Sequence, residues 1–206
     1  MRITEQAKLE NRAAILKAAG QLFAEKGFES TTTRDIAQRA GLAAGTMFNY
    51  FPSKETMAMS MVNEALLAGI DDYRALRSGE EELVEELYLF LSCGLRRLQP
   101  MHAFIGPVLE KSLSPFQKKT TCAEGSSARE AHLATVGAII TGHTHRPPPD
   151  FLAVHIYWSL YLGILAFWSR DESPHQDATK AVIDYSLTLF VNLLAPTNPG
   201  AAEKLA

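Results

Sequence analysis

The sequence predicts an all-α protein of about nine helices. Three observations favour this class: apolar residues recur at helical spacing, glycines and prolines stand at the ends of the apolar stripes, and strand signals are nearly absent. No Asn-Gly or Asp-Gly hairpin turn occurs in the 206 residues. Hydrophobic residues make up 47% of the chain, which is sufficient for one large core or two small ones.

The first predicted helix carries one apolar stripe and ends at a glycine. Its apolar residues fall at i, i+4, i+7 and i+8: Ile15, Ala19, Leu22 and Phe23. Gly27 follows Lys26, as expected of a helix C-terminus with a cation in its last turn. Phe28 then lies where its side chain can fold back onto the stripe.

Two very short helices are predicted next. Thr32 and Asp35 have the spacing of a capping box, which would begin the first of them, and Gly41 supplies the turn. The second short helix is predicted from Ala44 to Tyr50. Helices of this length are stable only when they pack on other elements, so the pattern predicts a helix-turn-helix.

A helix-turn-helix predicts contact with DNA, because its second helix has to fill only one major groove. The hydroxyls of Thr33 and Thr46 suit phosphate, and their methyl groups suit thymine. Asn49 suits a base edge. The residues expected to meet or hold the DNA backbone are Gly45, Tyr50 and Lys54.

Purely structural interpretations stay open for some of these residues. Thr33 can serve only as a helix cap, and Tyr50 and Phe51 can be core residues. For the segment as a whole the structural interpretation is weaker, because so many positions agree with DNA binding.

Prolines, glycines and capping residues delimit the remaining helices. Ser53 can cap a helix that runs to about Leu76, and the glutamates after Gly79 suit the N-terminus of the next one. A shorter helix begins at Pro100. The last three predicted helices span about 114–141, 150–168 and 173–194, and residues 196–206 are expected to fray.

The continuity of two of these helices is open. Pro107 can kink the short helix. Ser114 and Pro115 have the residue types of an N-cap and a first helical position. Gly125 and the possible second cap at 127–130 leave open whether one helix or two follow.

The charge of the chain is unevenly distributed, although the net charge is only −3. Residues 1–54 hold eight Lys and Arg against five Asp and Glu, and the remainder holds twelve against eighteen. A basic first quarter joined to an acidic body suggests that one end meets a polyanion. A bias of this size is also compatible with ordinary fluctuation.

Several function classes find little support. Cys93 and Cys122 make no disulfide framework, and the polar N-terminus lacks the apolar centre of a signal peptide. The apolar stretch 151–168 is interpreted as a buried helix rather than a membrane span. No cofactor motif occurs, and His143-x-His145 does not have the spacing of a structural metal site. We therefore expect a cytoplasmic protein that is not an enzyme and needs no metal, cofactor or membrane.

The first quarter of the chain resembles the DNA-binding domain of TetR-family transcriptional regulators. The matching residues of its first helix are Arg12, Ile15, Leu16, Ala18, Ala19, Leu22, Phe23, Gly27 and Phe28. Those of the following segment are Thr32, Ile36, Ala37, Ala40, Gly41, Gly45, Phe51, Ser53, Lys54 and Glu55. The resemblance implies a helix-turn-helix DNA-binding domain at 1–54 and a ligand-binding and dimerisation domain at 55–206. It also adds Arg34, Ala43, Ala44 and Phe48 to the expected DNA-contacting residues.

Three of those positions depart from the usual family pattern. Ala43 stands where a capping serine is usual, Ala44 where lysine is common, and Phe48 where the family usually has tyrosine. The chain therefore lacks an N-cap side chain on its recognition helix, a loss that costs about 1 kcal/mol. It also lacks two groups that could hold phosphate.

The resemblance further implies a homodimer formed through the last two helices, and a pocket for a small-molecule effector. Both predicted helices carry more apolar residues than one intramolecular face can use. The residues expected to line the pocket are Leu66, Phe90, Cys93, Met101, His102, Phe104, Phe116, Trp158 and Tyr161. Their apolar bias favours a lipophilic or aromatic effector, although residues of this kind at helical spacing are more often simple core.

The function that these expectations favour is a repressor that a small molecule releases from a pseudo-palindromic operator on double-stranded DNA. The alternative is a transcriptional activator, or a DNA-binding dimer of the same fold that responds to no effector.

Overall fold

A computed structural model describes residues 4–112, 123–144 and 151–194 of the chain. These residues form nine α-helices and no strand, so the all-α prediction is confirmed. The helices are α1 Glu5–Lys26, α2 Thr33–Arg39, α3 Ala44–Phe48, α4 Lys54–Leu76, α5 Leu83–Leu98, α6 His102–Ser112, α7 Ala123–Thr144, α8 Phe151–Trp168 and α9 Asp177–Leu194. Short 3-10 turns at Gln99–Met101 and Pro174–Gln176 precede α6 and α9.

Helix α1 ends as its sequence predicts. Gly27 adopts a φ of +84° and donates its N–H to the Phe23 carbonyl at 3.0 Å. The ring of Phe28 folds back to 5.0 Å from the ring of Phe23, and both are buried. The end of α1 therefore fixes the direction in which the chain enters α2.

Helix α2 begins at the predicted capping box. The Asp35 N–H donates to the Thr32 hydroxyl at 3.2 Å, and the Thr32 N–H donates to the Asp35 carboxylate at 2.9 Å. Lys26 lies 2.6 Å from the same carboxylate. Hydrogen bonds from Lys26 and Thr32 hold the pKa of Asp35 well below its usual value.

The later helices follow the predicted boundaries with small adjustments. The Ser53 hydroxyl accepts the Thr56 N–H at 3.2 Å and so caps α4. Helix α6 continues through Pro107, and α7 continues through Gly125, so no second helix begins near Ser127. The predicted cap at Ser114 and Pro115, and the predicted fraying of 196–206, lie outside the described residues.

The chain packs as two compact units. The first takes in α1 to α4 as far as Asp72, the end of α5 from Cys93, α6, and α7 as far as His132. The second takes in the end of α4 from Tyr73, α5 as far as Ser92, the rest of α7, and α8 and α9. The predicted boundary between residues 54 and 55 stays a prediction.

Helices α8 and α9 pack together in the second unit. The rings of Tyr157 and Phe190 lie 5.4 Å apart and are buried. The buried Asp171 carboxylate accepts the Thr179 N–H at 2.8 Å, which fixes the start of α9. Among the described helices, α8 alone is long and apolar enough to cross a membrane by composition. One side of it packs on α9, and 33% of the helix is buried in the single chain.

A polar cluster also lies in the second unit. The buried Glu86 carboxylate accepts the Tyr73 hydroxyl and contacts Nε2 of His143. Burial raises the pKa of Tyr73, and the hydrogen bond to Glu86 raises it further. His143 therefore serves as a partner of Glu86, whereas His145 lies outside the described residues.

Candidate nucleic-acid interface

The turn between α2 and α3 sets the angle of the short helices. Gly41 adopts a φ of +71°, a conformation that side chains with a Cβ disfavour. The Leu42 N–H donates to the Ala37 carbonyl at 2.9 Å and closes the turn. Met47, fully buried, then anchors α3 against the rest of the unit. The predicted helix-turn-helix is thus present in the structure.

Apart from the side of buried Met47, helix α3 has three strips of residues that differ in chemistry and exposure. Residues four apart lie on the same side of a helix. Gly45 and Asn49 face outward and are exposed, while Thr46 and Tyr50 lie on one flank and are half-buried. The other flank consists of Ala44 and Phe48, both exposed.

The two short helices begin differently. Ala43 has the extended backbone of an N-cap residue, with φ −65° and ψ 141°, but has no side-chain cap hydrogen bond. Thr32 provides such a bond for α2. The predicted lack of a cap on the recognition helix is therefore confirmed.

Tyr50 is held by a residue that the sequence reasoning missed. The Asn11 side-chain amide donates to the Tyr50 hydroxyl at 3.0 Å. The two residues are far apart in sequence, so no local pattern could have indicated the contact. Because the hydroxyl oxygen already accepts from Asn11, its own proton is available to a phosphate oxygen.

The structural interpretation holds for Phe51 but not for Thr33. Phe51 is buried, and the Arg12 guanidinium lies 5.4 Å from the centre of its ring. Thr32 rather than Thr33 caps α2, and Thr33 is half-buried as the first residue of that helix.

Lys54 has a role that its sequence position did not suggest. Its ammonium donates to the carbonyls of Phe28, Glu29 and Thr31, at 2.8, 3.0 and 3.2 Å. It also lies 4.6 Å from the centre of the Phe28 ring. Lys54 thus ties the start of α4 to the end of α1. Its expected contact with DNA stays a prediction.

Most cations of the N-terminal segment are engaged inside the chain. Between residues 4 and 54, five of the seven lysines and arginines have partners. The ion pairs are Lys8–Glu5 at 2.7 Å, Arg12–Glu64 at 2.5 Å, Lys26–Asp35 at 2.6 Å and Arg39–Glu25 at 2.8 Å. Within the described part of the chain, Lys17 and Arg34 are exposed and form no ion pair. Arg34 belongs to α2 of the helix-turn-helix, whereas Lys17 belongs to α1.

The candidate effector residues fall in both compact units. In the first unit, Leu66, Cys93, Met101 and Phe104 are buried and His102 is half-buried. Phe104 packs 5.2 Å from Phe23, which makes it part of the core beneath α1. Burial raises the pKa of the Cys93 thiol.

In the second unit, the ring of Phe90 lies 5.4 Å from Tyr73, and that of Trp158 lies 5.4 Å from Tyr161. Burial raises the pKa of Tyr161. Phe116 lies outside the described residues. The role of all these residues in effector binding stays a prediction.

Buried polar groups on α4 and α7 were not singled out from the sequence. His132 is buried, and desolvation lowers its pKa to about 3. Within the described residues, the Ser60 hydroxyl and the side-chain oxygen of Asn63 have no hydrogen-bond partner. No sequence signal distinguishes such groups, because only tertiary packing removes them from water.

Family profiles match most of the chain. The profile of bacterial regulatory proteins of the TetR family matches residues 15–61, which include α2 and α3. A tetracycline repressor-like C-terminal domain profile matches residues 86–204, more than half of the chain. The chain belongs to the TetR family. The resemblance found in its first quarter is thus confirmed and extends to the C-terminal part.

Curated relatives of this TetR-family protein match only part of the chain. The transcriptional repressor KstR2 of Rhodococcus jostii is 45% identical over 65 residues, which are 32% of this chain and 30% of the relative. KstR2 of Mycobacterium tuberculosis H37Rv is 32% identical over 96 residues, 45% of this chain and 46% of that one. The chain thus spans about a third to a half of the length of these relatives.

Solved structures show the same fold over nearly the whole chain. Thermus thermophilus FadR, a TetR-family transcriptional repressor solved in complex with lauroyl-CoA, has a TM-score of 0.68 at 24% identity. The match covers 87% of this TetR-family protein and 93% of FadR. A TetR regulator from Rhodococcus sp. RHA1 has a TM-score of 0.67 at 18% identity, covering 94% and 100%.

Proposed function

We propose that this TetR-family protein is a homodimeric repressor that binds a pseudo-palindromic operator and is released by a lipophilic effector. The observation that carries the proposal is the exposed outer surface of α3, which buried Met47 holds against the first unit. The repressor activity named for the KstR2 and FadR relatives supports it. The proposal involves no catalytic step, no metal or cofactor and no membrane, and places the protein in the cytoplasm.

The proposed DNA contacts combine base reading with backbone contact. Asn49, exposed on the outward strip of α3, suits the adenine edge in the major groove. Arg34, Thr33, Thr46 and Tyr50 suit the flanking phosphates. Ala43 and Gly45 have no bulky side chain, so the backbone of α3 can approach the DNA closely.

The proposed dimer is formed by α8 and α9. Tyr185, Leu189 and Leu193 lie four residues apart on one strip of α9 and are 69%, 51% and 54% exposed in the single chain. Asp184, Thr188 and Asn192 form a polar exposed strip beside it. An exposed apolar strip next to a polar one favours a protein partner, and a second copy of this chain supplies the same surface.

The exposed side of α8 supports the same dimer. Phe151 and Leu152, in its first turn, are 85% and 62% exposed. A Cβ added at Gly163 would meet no atom within 4 Å, so this side of α8 is open in the single chain. Two such helices from each protomer would form a four-helix interface.

The proposed effector is a lipophilic molecule such as a long-chain acyl thioester. FadR, which shares the fold, was solved with lauroyl-CoA. Most of the candidate lining residues are buried and apolar, and the unpaired Ser60 hydroxyl on α4 can hydrogen-bond to a polar group. The chemistry of these residues favours an apolar chain with few polar atoms.

The test begins with a gel-shift assay of the full chain on DNA that borders its coding region, followed by footprinting. We expect a protected inverted repeat, and release by lauroyl-CoA and other long-chain acyl-CoA molecules, because an apolar chain suits a pocket lined by apolar residues. Free coenzyme A is the matched control, because it keeps the charge and lacks the acyl chain. Footprints that persist with every acyl-CoA would refute the effector, and the absence of any inverted-repeat preference would refute the repressor.

Arg34→Ala tests the proposed phosphate contacts. We expect weaker binding to every sequence, because the substitution removes a cation that can neutralise a phosphate. The slope of log K against log salt concentration should become shallower by about one unit for each phosphate that is no longer neutralised. Lys17→Ala removes the other exposed cation between residues 4 and 54 that forms no ion pair, and it serves as the control. An unchanged slope in Arg34→Ala would place the phosphate contacts elsewhere.

A further inference from the structure

The Ala44–Phe48 flank of α3 is apolar and exposed to solvent. Phe48 is 50% exposed, although the opposite side of the same helix anchors it through fully buried Met47. Ala44 lies one turn before Phe48 and is exposed as well. Packing within the described first unit therefore does not account for a phenylalanine at this position.

Helix α3 carries no charged side chain. Its five residues are Ala-Gly-Thr-Met-Phe, and neither Ala43 before it nor Asn49 after it is charged. Reading guanine from the major groove usually requires the paired donors of arginine or the ammonium of lysine. Arg34, the exposed cation of the helix-turn-helix that forms no ion pair, lies on α2 instead. The surface of α3 is therefore poorly suited to guanine.

The major groove offers one apolar group that such a surface can read. Every A·T pair projects the C5 methyl group of thymine into the groove, and apolar side chains contact it. When a phenylalanine ring packs against a thymine methyl group, the apolar surfaces of both are removed from water. This burial favours binding.

Resting on the proposed DNA-binding function, we infer that Phe48, with Ala44 beside it, packs against thymine methyl groups in each operator half-site and thereby determines sequence preference. Asn49 on the adjacent strip reads the adenine edge. The polar flank of Thr46 and Tyr50, with Tyr50 held by Asn11 at 3.0 Å, lies along the backbone. The base pairs beneath α3 are accordingly A·T pairs.

The test uses duplexes that the full chain selects from a random pool. Each thymine of the selected site is replaced in turn by deoxyuridine, which removes only the C5 methyl group. Dissociation constants are then measured for the wild type, Phe48→Ala and Phe48→Leu. Because Phe48 is exposed, all three are expected to fold, and a thermal melt followed by circular dichroism checks this.

We expect the wild type to lose about fourfold in affinity at one or two thymines of each half-site, the effect of removing one buried methyl group. Phe48→Ala should bind thymine and uracil duplexes equally, and Phe48→Leu should keep part of the discrimination. Wild-type binding that is indifferent to every uracil, or a Phe48→Ala variant that keeps the full discrimination, overturns the inference and leaves the repressor proposal standing. A pool that yields no inverted repeat overturns both.

Discussion

Single residues of the first unit have roles that their chemistry alone left open. A lysine such as Lys54 can bind phosphate, and a phenylalanine such as Phe28 can pack in a core. In the structure the Lys54 ammonium lies 4.6 Å from the centre of the Phe28 ring. Three backbone carbonyls complete the surroundings of the ammonium. At this scale a residue's function depends on which partner packing brings to it.

Lys54→Met tests the structural role of the lysine. We expect the free energy of unfolding to fall by about 2 kcal/mol, because the variant cannot make the hydrogen bonds of a charged group while it keeps the length of the side chain. Urea denaturation followed by circular dichroism measures it. Lys17→Met is the control, since Lys17 is exposed and has no ion pair among the described residues. Equal stability of the two variants would contradict the role.

The burial of His132 leads us to expect that the free energy of unfolding depends on pH. Burial lowers its pKa from 6.5 to about 3, so the folded chain keeps it neutral while the unfolded chain binds a proton below pH 6.5. The contribution of His132 to the free energy of unfolding is therefore complete above pH 6.5 and is lost progressively as the pH decreases towards 3. We expect a loss of about 2 kcal/mol between pH 6.5 and pH 5.

Urea unfolding at pH 5, 6 and 7 measures this dependence, and His132→Leu should flatten it. His175→Asn is the control, because His175 is exposed in the turn before α9 and asparagine tolerates its positive φ. A wild-type stability that is constant over this interval would contradict the burial of a neutral imidazole.

At the scale of elements, the two short helices differ in how they begin. Thr32 and Asp35 form a complete capping box on α2, whereas Ala43 leaves the N-terminus of α3 without a side-chain acceptor. Helix α3 therefore depends on Met47 and on the turn at Gly41 for its position.

Ala43→Ser should stabilise α3. The backbone of Ala43 is already extended as an N-cap requires, so a serine hydroxyl there can accept a free N–H of the first turn. We expect a gain of about 1 kcal/mol in the free energy of unfolding, measured by urea denaturation. Ala44→Ser, one position into the helix, should give no such gain, and equal effects of the two would rule out capping.

At the scale of the whole molecule, the apolar strip of α9 is exposed to solvent in a single chain. Tyr185, Leu189 and Leu193 lie beside the polar strip of Asp184 and Thr188 on the same helix. The contrast between neighbouring strips predicts which side of α9 a second copy covers.

Leu189→Glu should weaken the dimer, because it places a charge in a face that association removes from water. Sedimentation equilibrium should show a dissociation constant raised by at least about 100-fold, with helical content unchanged. Thr188→Glu adds the same charge one residue away on the polar strip and should remain dimeric. A Leu189→Glu variant that dimerises like the wild type would exclude this strip from the interface.

The sequence determined the local features of this protein by itself. The capping box at Thr32, the glycine turn at Gly41 and the missing cap at Ala43 depend on residues within a few positions of each other, so helical spacing and backbone preferences suffice to predict them. The same reasoning identified the helix-turn-helix and the family.

Only the tertiary structure decided which distant groups meet. The Asn11–Tyr50 hydrogen bond, the carbonyls around Lys54 and the Arg12–Glu64 and Arg39–Glu25 ion pairs join residues that no local pattern relates. The burial of His132 depends on tertiary packing in the same way. The physical reason is that hydrogen bonding, ion pairing and desolvation depend on distance in space, whereas periodicity and capping depend on distance along the chain.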